Sequence, residues 1–196
     1  MRIGNCRFIL NTIQKATQSS VKPKIKIGKI KQNPMAVAIN NPYTAEITLN
    51  KYFSCPLLKP FLRKTIKHEA KHTEQFQVMA RYFAGIKGNM DDGLNAFKEF
   101  LEKNHFGNRF WFKFNKDFYK KSILKDGTIT KENPMFSKAE EYVEAIKSYP
   151  DMSKIFNSAD KNPFKVIKAY RQQIKIYNNN ILEREAVAAS KQKTVS

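Results

Sequence analysis

The feature that most constrains the fold is a long helix, predicted from about Leu57 to Ala84, that carries a pair of histidines. Pro60 suits its first turn and Gly85 its end, because proline is tolerated early in a helix and glycine favours termination. Within this helix stands the run His68-Glu69-Ala70-Lys71-His72. Residues four apart lie above one another on a helix, so both imidazoles are expected on one face.

This spacing is typical of a helical zinc site. Two imidazoles at this spacing can bind one ion at about 2.0–2.1 Å, while Glu69 is rotated by about 100° from His68 and falls beside the ion. From there its carboxylate can accept a proton from a water that zinc acidifies, as amide hydrolysis requires. The alternative is a basic surface helix with two solvated histidines. Ile66, Ala70 and Thr73 flank the histidines at helical spacing and favour a site that faces the protein.

Zinc needs a third protein ligand, and the sequence offers several. His105, the third histidine, follows a predicted helix in the loop "EKNHFGN". Glu183 and Glu185 stand in "NNNILEREAVAAS", on a final helix predicted from Pro163 to about Ser190. Small residues such as Ala186 would let this helix approach another closely. The alternative for the two glutamates is a solvated acidic pair.

Together these patterns resemble a zincin metallopeptidase of the gluzincin type, over roughly residues 24–84 and 163–190. In that family the third ligand is the first Glu of a Glu-x-x-x-Asp pattern. The resemblance implies Glu183 as that ligand, with Glu185 as the alternative. Val187 stands where the family has an Asp that orients a ligand histidine, so Glu185 or another acid would have to take that role.

The resemblance implies a zinc ion, Zn²⁺, held by His68, His72 and Glu183. Glu69 would act as the general base and then as the proton donor to the leaving amine. A peptide or protein substrate would add as an extra strand along residues 45–50. An oxyanion-stabilising donor is also expected. Its candidates are His105, Tyr142, Tyr170 and Tyr177.

The whole chain predicts an α+β fold: a single zincin-like domain over residues 1–196, with a small mixed sheet, the histidine-bearing helix and a mostly helical remainder. Alternation in "KIKIGKI" and "AEITLN", with the turn signal "NNPYT", predicts two or three strands between Lys24 and Asn50. At least one pair is expected to form a hairpin. Residues 85–162 form an unassigned helical and aromatic insertion.

Two further helices are predicted within that insertion. One begins at Asp91 or Asp92. Another begins at a capping box of Ser137 and Glu140 and ends near Tyr149. The predicted core face of the first consists of Leu94, Phe97 and Leu101.

The net charge of +19, from 36 Lys+Arg against 17 Asp+Glu, favours an anionic partner such as nucleic acid. Residues 108–121, "NRFWFKFNKDFYKK", interleave aromatic rings with cations, as proteins that bind single-stranded nucleic acid do. A core strand or a lid over the zinc cleft would show the same pattern. The alternative function is therefore a non-enzymatic basic protein that binds nucleic acid or packs in a larger assembly, such as a phage particle.

The expected compartment is cytoplasmic or virion-associated. Cys6 and Cys55 are too few for a disulfide framework, and no apolar run approaches the ~18 residues of a membrane span. Residues 1–18 have arginines and no acid, which fits either an amphipathic first helix or a transit peptide.

Overall fold

The computed structural model describes residue 12 and residues 19–30, 36–53, 59–104, 113–149 and 163–192. Within these ranges the fold is mixed α+β and mostly helical, as the sequence predicts. The strands are β1 (Lys24–Gly28), β2 (Ala38–Asn41) and β3 (Glu46–Asn50). The helices are α1 (Lys59–Lys87), α2 (Met90–Lys103), α3 (Lys116–Asp126), α4 (Phe136–Lys147), α5 (Pro163–Asn179) and α6 (Ile181–Lys191).

The three strands form one sheet in the order β1-β3-β2. β1 runs parallel to β3, whereas β2 and β3 form the predicted antiparallel hairpin. Ala45, with a φ of 53°, makes the left-handed turn before β3. The prediction that residues 45–50 form the free edge for a substrate is wrong, because β3 is the central strand and is paired on both sides. The strand at the edge beside α1 is β2.

The sheet packs against the first half of α1. Ile47 and Leu49 of β3 are fully buried and contact Ile66 and Ala70 of the helix. These contacts fix the rotation of α1 about its axis, since Ile66 and Ala70 flank the histidines at helical spacing. One face of α1 therefore packs against the sheet, and the adjacent face carries His68 and His72.

The second half of α1 lies in a larger core that α2, α3, α4 and α6 complete. The predicted core face of α2 is confirmed, because Leu94, Phe97 and Leu101 are fully buried. Residues from the stretch 85–162, which the sequence left unassigned, thus pack directly on the histidine-bearing helix. The other large, fully buried side chains of this core are Met79, Tyr119, Ile129 and Ile146.

Helix ends depart from the predictions in three places. α1 continues through Gly85 to Lys87 and stops before Gly88, whose φ is 71°. α4 begins at Phe136 with no side-chain cap, so the predicted capping box is not formed. The predicted single helix from Pro163 to about Ser190 is broken at Asn180 into α5 and α6.

Several predictions fall outside the described residues: those for most of the N-terminal helix, for Cys6, Cys55 and His105, and for residues 108–112 of the aromatic and basic stretch. Within the described part of the chain, no helix combines the length and apolar character needed to cross a membrane.

Close helix packing gives a first testable prediction. A Cβ on Gly93 would lie 2.3 Å from the Cα atom of Ala84, so Gly93→Ala must push α2 away from α1. We expect a loss of about 1–3 kcal/mol in the free energy of unfolding, measured by urea denaturation. Gly28→Ala is the control, because its Cβ would meet only Thr48 Cγ2 at 4.0 Å. Equal stability of the two variants would contradict the α1–α2 packing.

Candidate metal centre

Two imidazoles and one carboxylate converge where α1 meets α6. The Nε2 atoms of His68 and His72 lie 3.2 Å apart. His68 Nε2 lies 3.3 Å from Glu183 Oε2, and His72 Nε2 lies 3.4 Å from Glu183 Oε1. The structure therefore brings together the three residues that the sequence proposed as metal ligands. Each of these three described residues offers one atom that could bind a metal, and the three atoms all lie within 4.8 Å of one another.

The spacing of these atoms fits a tetrahedral zinc ion. Bonds of about 2.0–2.1 Å in a tetrahedron place neighbouring ligand atoms about 3.3 Å apart. The three separations are 3.2, 3.3 and 3.4 Å. Glu183 Oε2 is a buried oxygen that has no hydrogen-bond partner in the described structure. A buried carboxylate oxygen of this kind is costly unless a cation or donor meets it, so the donor set fits a metal.

A break between two helices brings Glu183 to this point. Asn180 adopts an extended conformation, with φ −63° and ψ 134°, and its Oδ1 accepts a hydrogen bond from the backbone N–H of Leu182. Its Nδ2 donates to the carbonyl of Ala145 on α4 at 2.8 Å. Glu183 consequently lies in the first turn of α6, where the helix dipole favours a negative charge. The run "NNN" before it is the sequence signal for this break.

A tyrosine that sequence reasoning missed holds the other oxygen of Glu183. The hydroxyl of Tyr149 donates a short hydrogen bond to Glu183 Oε1. Oε2, the other carboxylate oxygen, lies 3.3 Å from His68 Nε2. In the sequence Tyr149 marks only the end of a helix, and nothing local distinguishes it from a packing tyrosine.

Glu185, the alternative ligand, lies in a different set of contacts. Its carboxylate accepts a hydrogen bond from Tyr142 and pairs with Lys138, each at 2.5 Å. It also accepts from Gln75 Nε2 at 3.3 Å, and Gln75 Oε1 lies 2.9 Å from His72 Nδ1. Sequence reasoning missed Gln75, whose spacing of three residues from His72 on one helix was the available signal.

Glu69, the predicted general base, lines a cavity of about 300 Å³ together with both histidines and Glu183. Burial raises the pKa of its carboxyl group, although the charges of the nearby histidines oppose the shift. Its backbone carbonyl accepts a hydrogen bond from Asn40 Nδ2 at 2.9 Å, which ties α1 to β2. Glu69 thus lies beside His68, His72 and Glu183 but is not one of the three candidate metal ligands.

The predicted oxyanion donors have different surroundings. Tyr177 lines the cavity, as does Tyr149, and their rings meet edge to face with centroids 5.7 Å apart. Burial and the charge of Glu183 raise the pKa of Tyr177, so its hydroxyl remains a donor. Tyr142 bonds Glu185 instead. His105 and the side chain of Tyr170 lie outside the described residues.

The ionisable groups at the centre stabilise one another. Burial alone would lower the pKa of His72, but the hydrogen bond and charge of Glu183 outweigh it and raise the pKa to about 8. Burial would likewise raise the pKa of Glu183, yet the two imidazoles and Tyr149 hold it well below its usual range. Below the pKa of His72, that residue and Glu183 therefore form a buried imidazolium–carboxylate pair.

The aromatic and basic stretch is partly a core element. Phe118 and Tyr119, on α3, are buried, and the ring of Phe114 stacks on that of Tyr119 at an interplanar angle of 11°. The hydroxyl of Tyr119 donates to the carbonyl of Pro42 in the β2–β3 turn. These rings are not available as stacking platforms for bases. They pack in the core, but Phe118 and Tyr119 do so from a helix and not from the predicted core strand.

Comparisons with protein-family models, with curated proteins and with solved structures found no match for this chain.

The coupled pair predicts how the stability of the metal-free protein varies with pH. The folded-state pKa of His72, about 8, lies above its ordinary 6.5, so its contribution is complete below pH 6.5 and is lost as the pH rises through 8. For Glu183, whose pKa is lowered from 4.5, the contribution is present above pH 4.5 and is lost only as the pH falls further.

With a chelator present, we expect the free energy of unfolding to fall by about 2 kcal/mol as the pH rises through the pKa of His72. Urea denaturation at a series of pH values measures the change. His72→Gln removes the titrating group and should remove the fall, whereas the same fall in that variant would assign it to other groups.

Proposed function

We propose that the chain is a zinc-dependent metallopeptidase of a zincin-like, gluzincin type, which hydrolyses peptide bonds. The observation that carries the proposal is the set of near-equal separations among His68 Nε2, His72 Nε2 and the carboxylate of Glu183, with Glu69 beside them on the wall of an open cavity. This arrangement has one position left for water or substrate, as catalytic zinc sites have.

The roles of the residues follow from this arrangement. His68, His72 and Glu183 would hold the ion. When bound, zinc supplies a Lewis acid that polarises a carbonyl group and makes a water more acidic. Glu69 takes a proton from the attacking water while the oxygen of that water forms a bond to the peptide carbonyl carbon. The same carboxyl group then passes this proton to the amide nitrogen as the C–N bond breaks.

Burial suits Glu69 to both halves of this task. Burial raises the pKa of the Glu69 carboxyl group. Its affinity for a proton is thereby closer to that of the attacking water and of the leaving amine, with which it exchanges the proton. The hydroxyl of Tyr149 is engaged with Glu183, so Tyr177, which lines the same cavity, is our candidate for stabilising the oxyanion.

An extended peptide fits along β2. This strand forms an edge of the sheet and lines the cavity through Ala38, Ile39 and Asn40. Asn40 Nδ2 is engaged with the Glu69 carbonyl, and Asn40 Oδ1 is buried without a partner in the residues described. The backbone groups of β2 would orient a peptide beside Glu69.

A polyanionic partner remains a separate proposal, for which the net charge of +19 is the support. Binding of single-stranded nucleic acid would weaken steeply with salt. Such binding is compatible with a peptidase and does not replace it.

Glu69→Gln tests the proposed chemistry. The amide cannot accept the proton, so we expect cleavage of a peptide library, read by mass spectrometry, to fall by about 10²–10⁴-fold. Zinc content should stay at that of the wild type, because Glu69 is not a ligand. Glu99→Gln, an exposed glutamate on α2, is the matched control and should cleave normally. Undiminished cleavage by Glu69→Gln, or no zinc-dependent cleavage by the wild type, would contradict the proposal.

A further inference from the structure

Gln75 lies between the two helices that carry the ligand-type residues. It is 1% exposed, although it is polar. Its Oε1 lies 2.9 Å from His72 Nδ1, on the same helix. Its Nε2 donates to the backbone carbonyl of Leu182 at 3.1 Å and to Glu185 Oε2 at 3.3 Å, both on α6. One amide group therefore contacts a histidine of the centre and the residue directly before Glu183.

The partners on α6 determine which way the amide points. The carbonyl of Leu182 can only accept hydrogen bonds, so the amide NH₂ must face it. Glu185 is paired with Lys138 and accepts from Tyr142, which identifies it as an ionised acceptor. The amide oxygen of Gln75 is consequently the atom that faces His72.

An acceptor opposite Nδ1 fixes the tautomer of His72. A neutral imidazole carries one proton, and the amide oxygen holds that proton on Nδ1. The lone pair then resides on Nε2, the atom that lies 3.2 Å from His68 Nε2 and 3.4 Å from Glu183. This is the tautomer that can bind a metal at the centre.

We propose that Gln75 is a positioning residue that fixes His72 with Nε2 directed to the metal, and that ties α6, through Leu182, to the histidine-bearing helix. The proposal rests on the metal centre of the proposed function, but not on peptide hydrolysis. Val187, where an orienting acid was expected from sequence, is 41% exposed and faces solvent instead. Gln75 takes that orienting role with a neutral amide, and Glu185 stands behind it.

Gln75→Leu tests the role in metal binding. It removes the acceptor for His72 and the donor for Leu182 while keeping a similar volume. We expect zinc affinity, measured by competition with a chromophoric chelator, to fall by about 10–100-fold. Gln77→Leu is the matched control, because Gln77 is a buried glutamine of α1 whose amide donates to the carbonyl of Val21 at 2.8 Å. Equal zinc affinity in the two variants would overturn the proposal.

A second variant guards against a simple loss of packing. Gln75→Glu combined with Glu185→Gln exchanges the amide and the carboxylate, so an acceptor still faces His72 Nδ1. This double variant and Gln75→Leu both lack the donor to the Leu182 carbonyl, so they differ in the acceptor for His72. We expect this double variant to bind zinc more tightly than Gln75→Leu. If the double variant binds zinc as weakly as Gln75→Leu does, an acceptor opposite His72 Nδ1 does not determine zinc affinity, and the proposal is overturned.

The tautomer can also be measured without metal. In zinc-free protein, at a pH at which the imidazole is neutral, ¹⁵N NMR of His72 should show the proton on Nδ1 in the wild type, opposite the Gln75 oxygen. In Gln75→Leu the proton should be shared with Nε2. A wild-type Nε2–H tautomer would refute the role of Gln75 whether or not the protein binds zinc. Lack of zinc binding with the expected tautomer would instead count against the proposed function alone.

Discussion

The candidate metal centre depends on one contact: the buried carboxylate of Glu183 against the imidazoles of His68 and His72. Glu183 is separated from the histidines by more than 100 residues, so its position follows from the packing of α6 on α1. A carboxylate this well buried is unfavourable alone. It is balanced here by two imidazoles, by the hydroxyl of Tyr149 and by the first turn of its own helix. The separations among these groups also suit a bound cation.

The surrounding fold positions these groups through rigid elements. The sheet fixes the rotation of α1 by burying Ile66 and Ala70 against Ile47. The larger core holds the second half of α1, and α4 anchors the start of α6 through the contact between Asn180 and the Ala145 carbonyl. Ligand-type side chains therefore project from packed helices rather than from loops, as a metal site of defined geometry requires.

The sequence predicted those parts of the fold that local pattern controls. Alternation located β1 and β3, and helical spacing gave the core face of α2. The pairing of His68 and His72 followed from helical geometry alone. Glu183 was a different kind of prediction, because it came from a family resemblance and depended on a tertiary contact that no local pattern encodes.

Other features could not be predicted from local pattern. The order of strands places β2 at the edge beside α1, and order is decided by pairing between distant segments. The break at Asn180 was not predicted, because the residue pattern from Pro163 to about Ser190 is typical of one continuous helix. Gln75 and Tyr149 have no signature of their own, since their roles exist only once α4, α6 and α1 are packed together.

X-ray absorption at the zinc edge, on the purified protein with one equivalent of zinc, would show whether His68, His72 and Glu183 bind the ion. We expect four nitrogen or oxygen neighbours at about 2.0–2.1 Å, with the outer-shell scattering of two imidazoles. Replacement of Glu183 by alanine should change the oxygen shell and leave the two imidazoles in place. Failure of the protein to retain zinc would contradict the assignment of His68, His72 and Glu183 as ligands. A spectrum with sulfur neighbours, or one without imidazole scattering, would contradict it as well.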